Sequence, residues 1–296
     1  MQRIAFYTIY PFLLLISLLP FRILYVFSDV LCFLMYRVVK YRKKTVRKNI
    51  RTAGVAKNLK HAKAIEKEFY KHFCDLFLEM IKSITISETA IKKRFVVKNK
   101  ELLERYGKEG KSIIVMCGHY ASYEWLLSIT YHMPHDGFGV YTPLSNPYFD
   151  RMVQRIRRKH GAYLIPRSKV RETLQKHHHE GVLATYGFAG DQSPQLRSKN
   201  YWQTFFGVKV PVFTGGERLA KEFDLPVVFA RLEKKKRGFY EATIEPLAEN
   251  PKDVKDYEIT DDFLQRIEAQ VKANPAHYLW THNRFKHKDK VPSNLI

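Results

Sequence analysis

The chain has 296 residues, and 51 Lys and Arg against 29 Asp and Glu give it a formal net charge of +22. Its hydrophobic content of 45% and aromatic content of 14% supply apolar surface for a large core, which excludes a disordered basic tail and a low-complexity binder. The 14 Gly and 13 Pro show no period, which excludes a collagen-like chain, while three widely spaced Cys indicate neither a disulfide framework nor a zinc knuckle and favour a reducing compartment.

The first 36 residues differ in composition from the rest. They hold three charges with a net of +1, so residues 37–296 carry +21. Two apolar segments, 4–19 and 23–36, meet at Pro20. The first would reach roughly 24 Å as a helix, short of the ~30 Å hydrocarbon core, although both together could form one tilted, kinked span. Since no small-residue cleavage pattern follows the first segment, we predict a retained helical membrane anchor at residues 1–36, either a monotopic hairpin or a single pass.

A basic run lies directly after this predicted anchor. It has no acid and contains Arg37, Lys40, Arg42, Lys43, Lys44, Arg47, Lys48 and Arg51. Such a bias is typical of the cytoplasmic side of a membrane, and it attracts anionic lipid headgroups. A solvated helix is the alternative, but a helix that faces water usually mixes charge signs to form i,i+4 pairs. We therefore predict that the body of the protein faces the cytoplasm and contacts anionic membrane lipid.

Helices and strands alternate along the body. A helix is predicted over residues 62–84, with an apolar stripe of Phe69, Phe73, Leu76, Phe77 and Met80. Strands are predicted over residues 112–117, 137–141, 162–165, 181–186, 226–232 and 240–244. Further helices are predicted over residues 122–130, 147–160, 172–180, 217–223 and 261–273. This alternation indicates an α/β fold with a mixed, mostly parallel central sheet flanked by helices, in one domain of residues 37–296 because no linker or repeat divides them.

A histidine and a glutamate lie where the predicted strand 112–117 passes into the helix 122–130. On a continuous helix, the five-residue spacing would leave His119 and Glu124 roughly 140° apart, so His119 must precede the helix for its ring to meet Glu124. There the positive end of the helix dipole disfavours imidazolium, while a carboxylate fixes the tautomer and stabilises the cation formed during proton transfer. The pair is therefore a candidate general base with its partner, and an ordinary polar pair at a strand end is the alternative.

This spacing resembles the H-x4-D/E motif of glycerolipid acyltransferases. Five further stretches resemble, in the same order, the late acyltransferases of lipid A biosynthesis, the lauroyl and myristoyl transferases: residues 140–150 (VYTPLSNPYFD), 155–167 (RIRRKHGAYLIPR), 190–194 (GDQSP), 204–207 (TFFG) and 275–286 (PAHYLWTHNRFK). An isolated H-x4-E is nonspecific, but the ordered stretches span nearly the whole body. The resemblance, which includes the hydrophobic N-terminus, implies a glycerolipid acyltransferase-like fold at the inner (cytoplasmic) membrane, with the catalytic domain on the cytoplasmic face.

The resemblance also implies a reaction. A fatty acyl chain would pass from an acyl carrier protein thioester to a hydroxyl of a lipid A precursor, a phosphorylated, glucosamine-based lipid. His119 would remove the hydroxyl proton as general base, and Glu124 would orient and stabilise the protonated imidazole, with no covalent enzyme intermediate and no cofactor beyond the thioester co-substrate. A coenzyme A donor stays open, as does another acceptor such as a lysophospholipid or an aminolipid.

Four further residues are expected to bind substrate. Arg167, where a strand ends, would stabilise the negative charge that develops on the thioester oxygen or would bind an acceptor phosphate; a surface arginine is the alternative. Asn146 would position substrate or form a turn. Asp191 and Gln192 follow an apolar run and would present polar groups to a cleft, or cap a helix or a turn.

An aromatic cluster and a run of histidines are two further candidates for functional groups. The aromatic residues Trp202, Phe205 and Phe206 would wall an acyl channel or belong to the core. The consecutive histidines 177–179 would point about 100° apart on a helix with no Cys or carboxylate to complete a cage, so we predict no metal site.

Two rival functions belong to other classes. A charge of +22 would attract a nucleic acid, but the apolar N-terminus argues against one, and the sequence has no helix-turn-helix, zinc-finger or ribonucleoprotein pattern. We therefore predict no nucleic-acid partner. A noncatalytic lipid-binding scaffold is the second rival, and it differs from an enzyme in tolerating the loss of Glu124.

Overall fold

The structure is a computed structural model that describes residues 1–293. Its helices are α1 (Gln2–Leu18), α2 (Phe21–Phe33), α3 (Lys43–Thr52), α4 (Leu59–Lys82), α5 (Glu88–Arg94), α6 (Lys100–Lys108), α7 (Pro147–Arg158), α8 (Val170–His179), α9 (Gly215–Phe223) and α10 (Glu258–Ala273). Its strands are β1 (Phe95–Lys98), β2 (Ile113–Cys117), β3 (Gly137–Tyr141), β4 (Ala162–Pro166), β5 (Thr185–Ala189), β6 (Trp202–Phe205), β7 (Val208–Pro211), β8 (Val227–Lys236) and β9 (Phe239–Ala248). Short 3₁₀ helices span Trp125–His132, Pro251–Asp253, Pro275–His277 and Lys288–Lys290.

Seven strands form the central sheet, in the order β1-β9-β8-β2-β5-β3-β4. Each neighbouring pair is parallel except β8 and β9, which form an antiparallel hairpin. Strands β6 and β7 pair separately as a small antiparallel ribbon. All five residues of the central strand β2 are buried, as expected of a parallel strand that is covered on both faces. The predicted α/β fold with a mostly parallel sheet is confirmed.

Helices cover the two faces of the sheet. Because side chains alternate along a strand, Met116 of β2 points to the face of α9, where it lies beside Gly216, and Val115 and Cys117 point to the opposite face. From β2 to β3 and again from β3 to β4, the chain moves across the sheet in the same direction. Because crossovers between parallel strands are right-handed, the two connections lie on the same face of the sheet, so the 3₁₀ helix Trp125–His132 and α7 are together on that opposite face. Helix α4 joins them there, since the Trp125 indole donates to Ser83 Oγ at 3.0 Å.

Two predicted elements differ from those observed. The predicted helix 122–130 is a turn followed by a 3₁₀ helix, Trp125–His132, and it starts with an i to i+3 bond from the Trp125 amide to the Ser122 carbonyl. The predicted strand 181–186 starts later, at the first residue of β5. Residues 181 and 182 instead terminate α8: Gly181 has a left-handed φ of 66°, and the Val182 amide donates back to the His177 carbonyl. The strand can begin only after this helix end.

The N-terminal helices α1 and α2 meet at Pro20 and lie against α4. Leu24 is buried in this contact, and Ser28 Oγ donates to the buried Asp75 carboxylate at 2.7 Å. The predicted boundary between residues 36 and 37 falls within a π-helical turn, Leu34–Val38. Within residues 1–293 no helix is both long enough and apolar enough to cross a membrane, so the single-pass form of the predicted anchor is unsupported.

Large apolar side chains on α1 and α2 are nevertheless exposed. This N-terminal apolar face consists of Phe12, Leu15, Val26, Phe27, Val30 and Phe33, each more than half exposed. Large exposed apolar side chains in this number are uncommon on soluble proteins, and where they adjoin they mark a surface that contacts a partner or a membrane.

Helix α4 buries polar groups as well as the predicted apolar stripe. Phe69 is buried as predicted, but Phe77 and Met80 are 45% and 37% exposed. The buried face instead includes Asp75 and Glu79, whose carboxylates accept hydrogen bonds from α2 and from β9. The stripe prediction is therefore wrong at its C-terminal end, because these bonds allow polar residues to be buried where periodicity favours apolar ones.

Arg237 at the tip of the β8–β9 hairpin binds α4 and α2 together. Its guanidinium donates to Asp75 at 2.6 Å and to Asp29 at 2.7 Å, and Asp75 is only 1% exposed. We expect Arg237→Ala to lower the free energy of unfolding by about 3 kcal/mol, because a buried carboxylate loses its main counter-charge. Thermal or urea unfolding in detergent micelles would measure the loss.

Arg231→Ala is the matched control on the same hairpin. Arg231 pairs with Glu245 at 2.6 Å, but both side chains are substantially exposed, at 44% and 29%. An exposed pair contributes less than about 1 kcal/mol. Equal losses for the two variants would contradict the role assigned to the buried pair.

Candidate active site

His119 lies just beyond the carboxyl end of β2, in a loop that the C-terminal segment of residues 277–284 holds in place. The His119 carbonyl accepts a hydrogen bond from the Leu279 amide at 3.0 Å, and Tyr120 forms an isolated antiparallel bridge with Tyr278. Ala121 then turns the chain with a left-handed φ of 45°, and its amide donates to a backbone carbonyl of the same C-terminal segment. These backbone bonds fix where the imidazole is presented.

A buried carboxylate holds the His119 ring. Asp191 follows β5, the neighbour of β2, and is 0% exposed. Its Oδ1 lies 2.6 Å from His119 Nδ1, and its Oδ2 accepts from the His119 backbone amide at 3.1 Å. The Tyr123 ring packs against the imidazole in an edge-to-face arrangement, with a centroid separation of 5.0 Å. With Nδ1 bonded to the carboxylate, Nε2 is the nitrogen left to accept a proton.

The electrostatics of this pair favour a charged imidazole. Burial alone would lower the pKa of His119, but the charge and hydrogen bond of Asp191, with the charge of Glu124, outweigh it, so the pKa is raised. Burial likewise opposes the charge on Asp191, yet the interactions with His119 keep the pKa of that carboxyl below its usual range. The pair therefore stabilises the imidazolium that proton abstraction would create.

The partner predicted for His119 is different in the structure. Glu124 Oε2 accepts from Arg157 Nη2 of α7 at 2.6 Å, and it acts on His119 through space by its charge. Asp191, expected to bind substrate, is buried behind the ring and supplies the hydrogen bond instead. The argument from the helix dipole also fails, because the helix after His119 begins only at Trp125.

The C-terminal segment also encloses Asp191 from behind. Arg284 is 1% exposed, packs over the Phe205 ring at 4.7 Å, and its charge contributes to the lowered pKa of Asp191. Two residues after Asp191, the Ser193 amide donates to His282 Nε2 at 3.1 Å. Burial lowers the pKa of His282 to about 4, so this ring stays neutral and can accept that bond.

His119 opens onto a cavity of about 970 Å³. Glu124, Arg157, Arg167 and Gln192 also line it. Two further lining arginines were not predicted, Arg197 and Arg218, which lie in a loop and on α9, and their side chains are exposed like that of Arg167. The cavity thus joins a proton acceptor to several cationic groups.

Other predicted site residues lie elsewhere. Asn146 caps α7, where its Oδ1 accepts from the Tyr148 amide at 2.9 Å, and it is not among the described residues that line the cavity. The aromatic residues Trp202, Phe205 and Phe206 are buried, and Phe205 and Phe206 belong to the main core. Of the histidines 177–179, His177 bonds through Nδ1 to the Tyr186 hydroxyl at 2.8 Å. Residues 1–293 contain no group of three or more metal-ligating side chains.

Comparison with known proteins identifies the family. A search of curated proteins gave no match. A family model described as bacterial lipid A biosynthesis acyltransferase matches residues 1–287, which include the N-terminal helices, the cavity and the C-terminal segment behind His119. The match covers nearly the whole chain, in agreement with the resemblance carried by the separate sequence stretches. The chain therefore belongs to the bacterial lipid A biosynthesis acyltransferases.

Proposed function

We propose that His119 is the general base of an acyl transfer to a hydroxyl of a lipid A precursor. The observation that carries the proposal is the His119 ring, hydrogen-bonded to buried Asp191 on one side and open to the 970 Å³ cavity on the other. The Nε2 atom takes the proton of the acceptor hydroxyl as the oxygen attacks the thioester carbonyl. The tetrahedral intermediate then expels the thiolate, which receives the proton from the imidazolium.

The neighbouring carboxylates have different parts in this reaction. Asp191 fixes the tautomer and stabilises the imidazolium by a direct hydrogen bond at 2.6 Å. Glu124 stabilises the same charge through space, and it holds Arg157 at the cavity wall by an ion pair of 2.6 Å. The ion pair thereby places the Arg157 guanidinium at the cavity, and the Glu124 carboxylate balances its charge.

Arginines at the cavity are proposed to bind the acceptor phosphates. Arg167, Arg197 and Arg218 present exposed guanidinium groups, which bind phosphate oxygens in a bidentate geometry. Gln192 lines the same cavity and supplies a neutral hydrogen-bonding group. Arg167 is also the candidate donor to the thioester oxygen, and the two roles differ in effect: loss of a phosphate contact raises KM, whereas loss of an oxyanion donor lowers kcat.

The proposed acyl donor is an acyl carrier protein. Such carriers are acidic, and this chain has a net charge of +22. Helix α7, which contributes Arg157 to the cavity wall, also exposes Arg151, Arg155 and Arg158 to solvent. Complementary charge of this kind raises the rate of association of an acidic partner.

The N-terminal apolar face is proposed to bind the cytoplasmic surface of the inner membrane as a monotopic element. It is exposed and is followed in sequence by the basic run of residues 37–51, a combination typical of peripheral binding to anionic lipid. We expect the double variant Val26→Glu, Phe27→Glu to reduce co-flotation with anionic vesicles by at least about 10-fold. Val96→Glu on β1, which is 41% exposed, is the control and should float like the wild type.

Acyl transfer by the purified protein tests the proposed function. Acyl carrier thioester and a lipid A precursor should yield an ester-linked product detected by mass spectrometry, and acyl coenzyme A at equal concentration should react more slowly. Product formed only with a lysophospholipid or an aminolipid would replace the proposed acceptor. No transfer to any of these lipids would overturn the proposed function.

A further inference from the structure

One side of the cavity lies on an uncovered part of the sheet. The alternation of side chains and the register of the strands place Val115, Cys117, Gly137, Gly139 and Gly187 on the same face, which is also the face of His119. All five line the cavity. Gly139 and Gly187 are direct register partners on β3 and β5, so the floor of the cavity there is bare backbone.

This part of the cavity is apolar and ends at a threonine. Leu126, Leu127 and Ile129 line it from the 3₁₀ helix above the sheet. At the end remote from His119, Thr130 lies on Gly137, where its Cγ2 methyl occupies the space that a Cβ of residue 137 would need. The single Thr130 hydroxyl proton is shared between the His160 carbonyl, at 2.5 Å from Oγ1, and the Leu127 carbonyl, at 2.9 Å, and this hydrogen bonding holds the methyl in place.

We propose that this apolar channel binds the fatty acyl chain, and that the Thr130 methyl and the Gly139–Gly187 floor determine its length. The proposal rests on the proposed function, since it places the thioester carbon beside His119 and the methyl end of the chain against Thr130. The channel length follows from β5, where Ala189 is level with Cys117 near His119 and Thr185 is level with Gly137 under Thr130. The four residue steps between Ala189 and Thr185 span about 13 Å, which is room for about ten methylene groups of an extended chain.

Two substitutions of Thr130 test the end of the channel. Thr130→Ser keeps the hydroxyl and its bonds but removes the methyl, so the preferred chain should be one or two carbons longer, with the ratio of rates for long and short donors raised about 4- to 10-fold. Thr130→Val is the matched control, because it keeps the methyl and loses the hydroxyl. It should leave the length preference unchanged even where stability falls.

Gly187→Ala tests the floor. A Cβ at residue 187 would meet nothing closer than 3.9 Å, so the fold should tolerate it, and the new methyl would project into the channel. We expect the preferred chain to become shorter, with a similar change in the rate ratio and the opposite sign to Thr130→Ser.

The readouts are the product distribution from an equimolar mixture of saturated acyl donors and the thermal stabilisation of each variant by free fatty acids of the same lengths. Shifts of opposite sign for Thr130→Ser and Gly187→Ala, with none for Thr130→Val, support the proposal. Equal shifts for the two Thr130 variants, or unchanged lengths throughout, overturn it. Length-dependent stabilisation without any product would retain the channel and refute the acyl transfer, so the two failures are distinguishable.

Discussion

Replacement of His119 by alanine is expected to lower kcat by about 10²- to 10⁴-fold, the usual contribution of a general base. The imidazole is held by Asp191 at 2.6 Å and faces the cavity, so its loss removes the proposed acceptor of the hydroxyl proton. Substrate binding should change little, since the arginines of the cavity stay in place. The measurement is the steady-state rate with saturating acyl carrier thioester, together with vesicle co-flotation, which should persist.

His179→Ala is the control for this variant. His179 is exposed at the end of α8, away from the residues that line the cavity. Wild-type turnover is expected. Full activity of His119→Ala would refute the general-base mechanism, and an equal loss in the control would point to a general effect of removing a histidine.

Asp191→Asn should cost a comparable factor, about 10²- to 10⁴-fold in kcat, because an amide neither stabilises the imidazolium nor enforces the same tautomer. The variant also has a signature in pH. The carboxylate raises the pKa of His119, so its removal lowers that pKa. Since the proposed mechanism requires His119 as the free base, the acid limb of the kcat/KM profile should move to lower pH while the plateau falls.

Two other carboxylates calibrate this shift. Glu124→Gln should move the limb in the same direction but less far, because Glu124 acts on His119 by charge without a direct hydrogen bond. Asp262→Asn on α10, an exposed carboxylate paired with Arg266 at 2.9 Å, should change neither the limb nor the plateau. A limb that stays in place or moves to higher pH in Asp191→Asn would show that Asp191 does not control the His119 proton.

Much of the sheet could be predicted because its strands are short apolar runs that turns delimit. The predictions 112–117, 137–141 and 162–165 match β2, β3 and β4 to within a residue. Strands β1, β6 and β7 have only four residues each, too few for an alternating pattern to be distinguished from a loop. The buried carboxylates of α4 were missed because their partners come from α2 and β9, distant in sequence.

The candidate site was only partly predictable for a similar reason. His119 and Asp191 each follow a strand, which is a local signal, but they are 72 residues apart, and their contact depends on β2 and β5 being neighbours in the sheet. Glu124 is close to His119 in sequence, and that closeness favoured a pairing that Arg157 prevents by binding the carboxylate. Strand order is a property of the tertiary structure, and sequence order alone does not supply it.

The bridge between Tyr120 and Tyr278 has a consequence for the synthesis of the protein. The loop that presents His119 is completed by backbone bonds from residues 277–279, which leave the ribosome long after the sheet that carries the histidine. A nascent chain that stops short of this segment lacks the bonds that hold the loop of His119, and it lacks the buried Arg284, whose charge acts on Asp191. Acyl transfer is therefore expected to begin only after the C-terminal segment has been translated and has docked, so an unfinished chain does not acylate lipid.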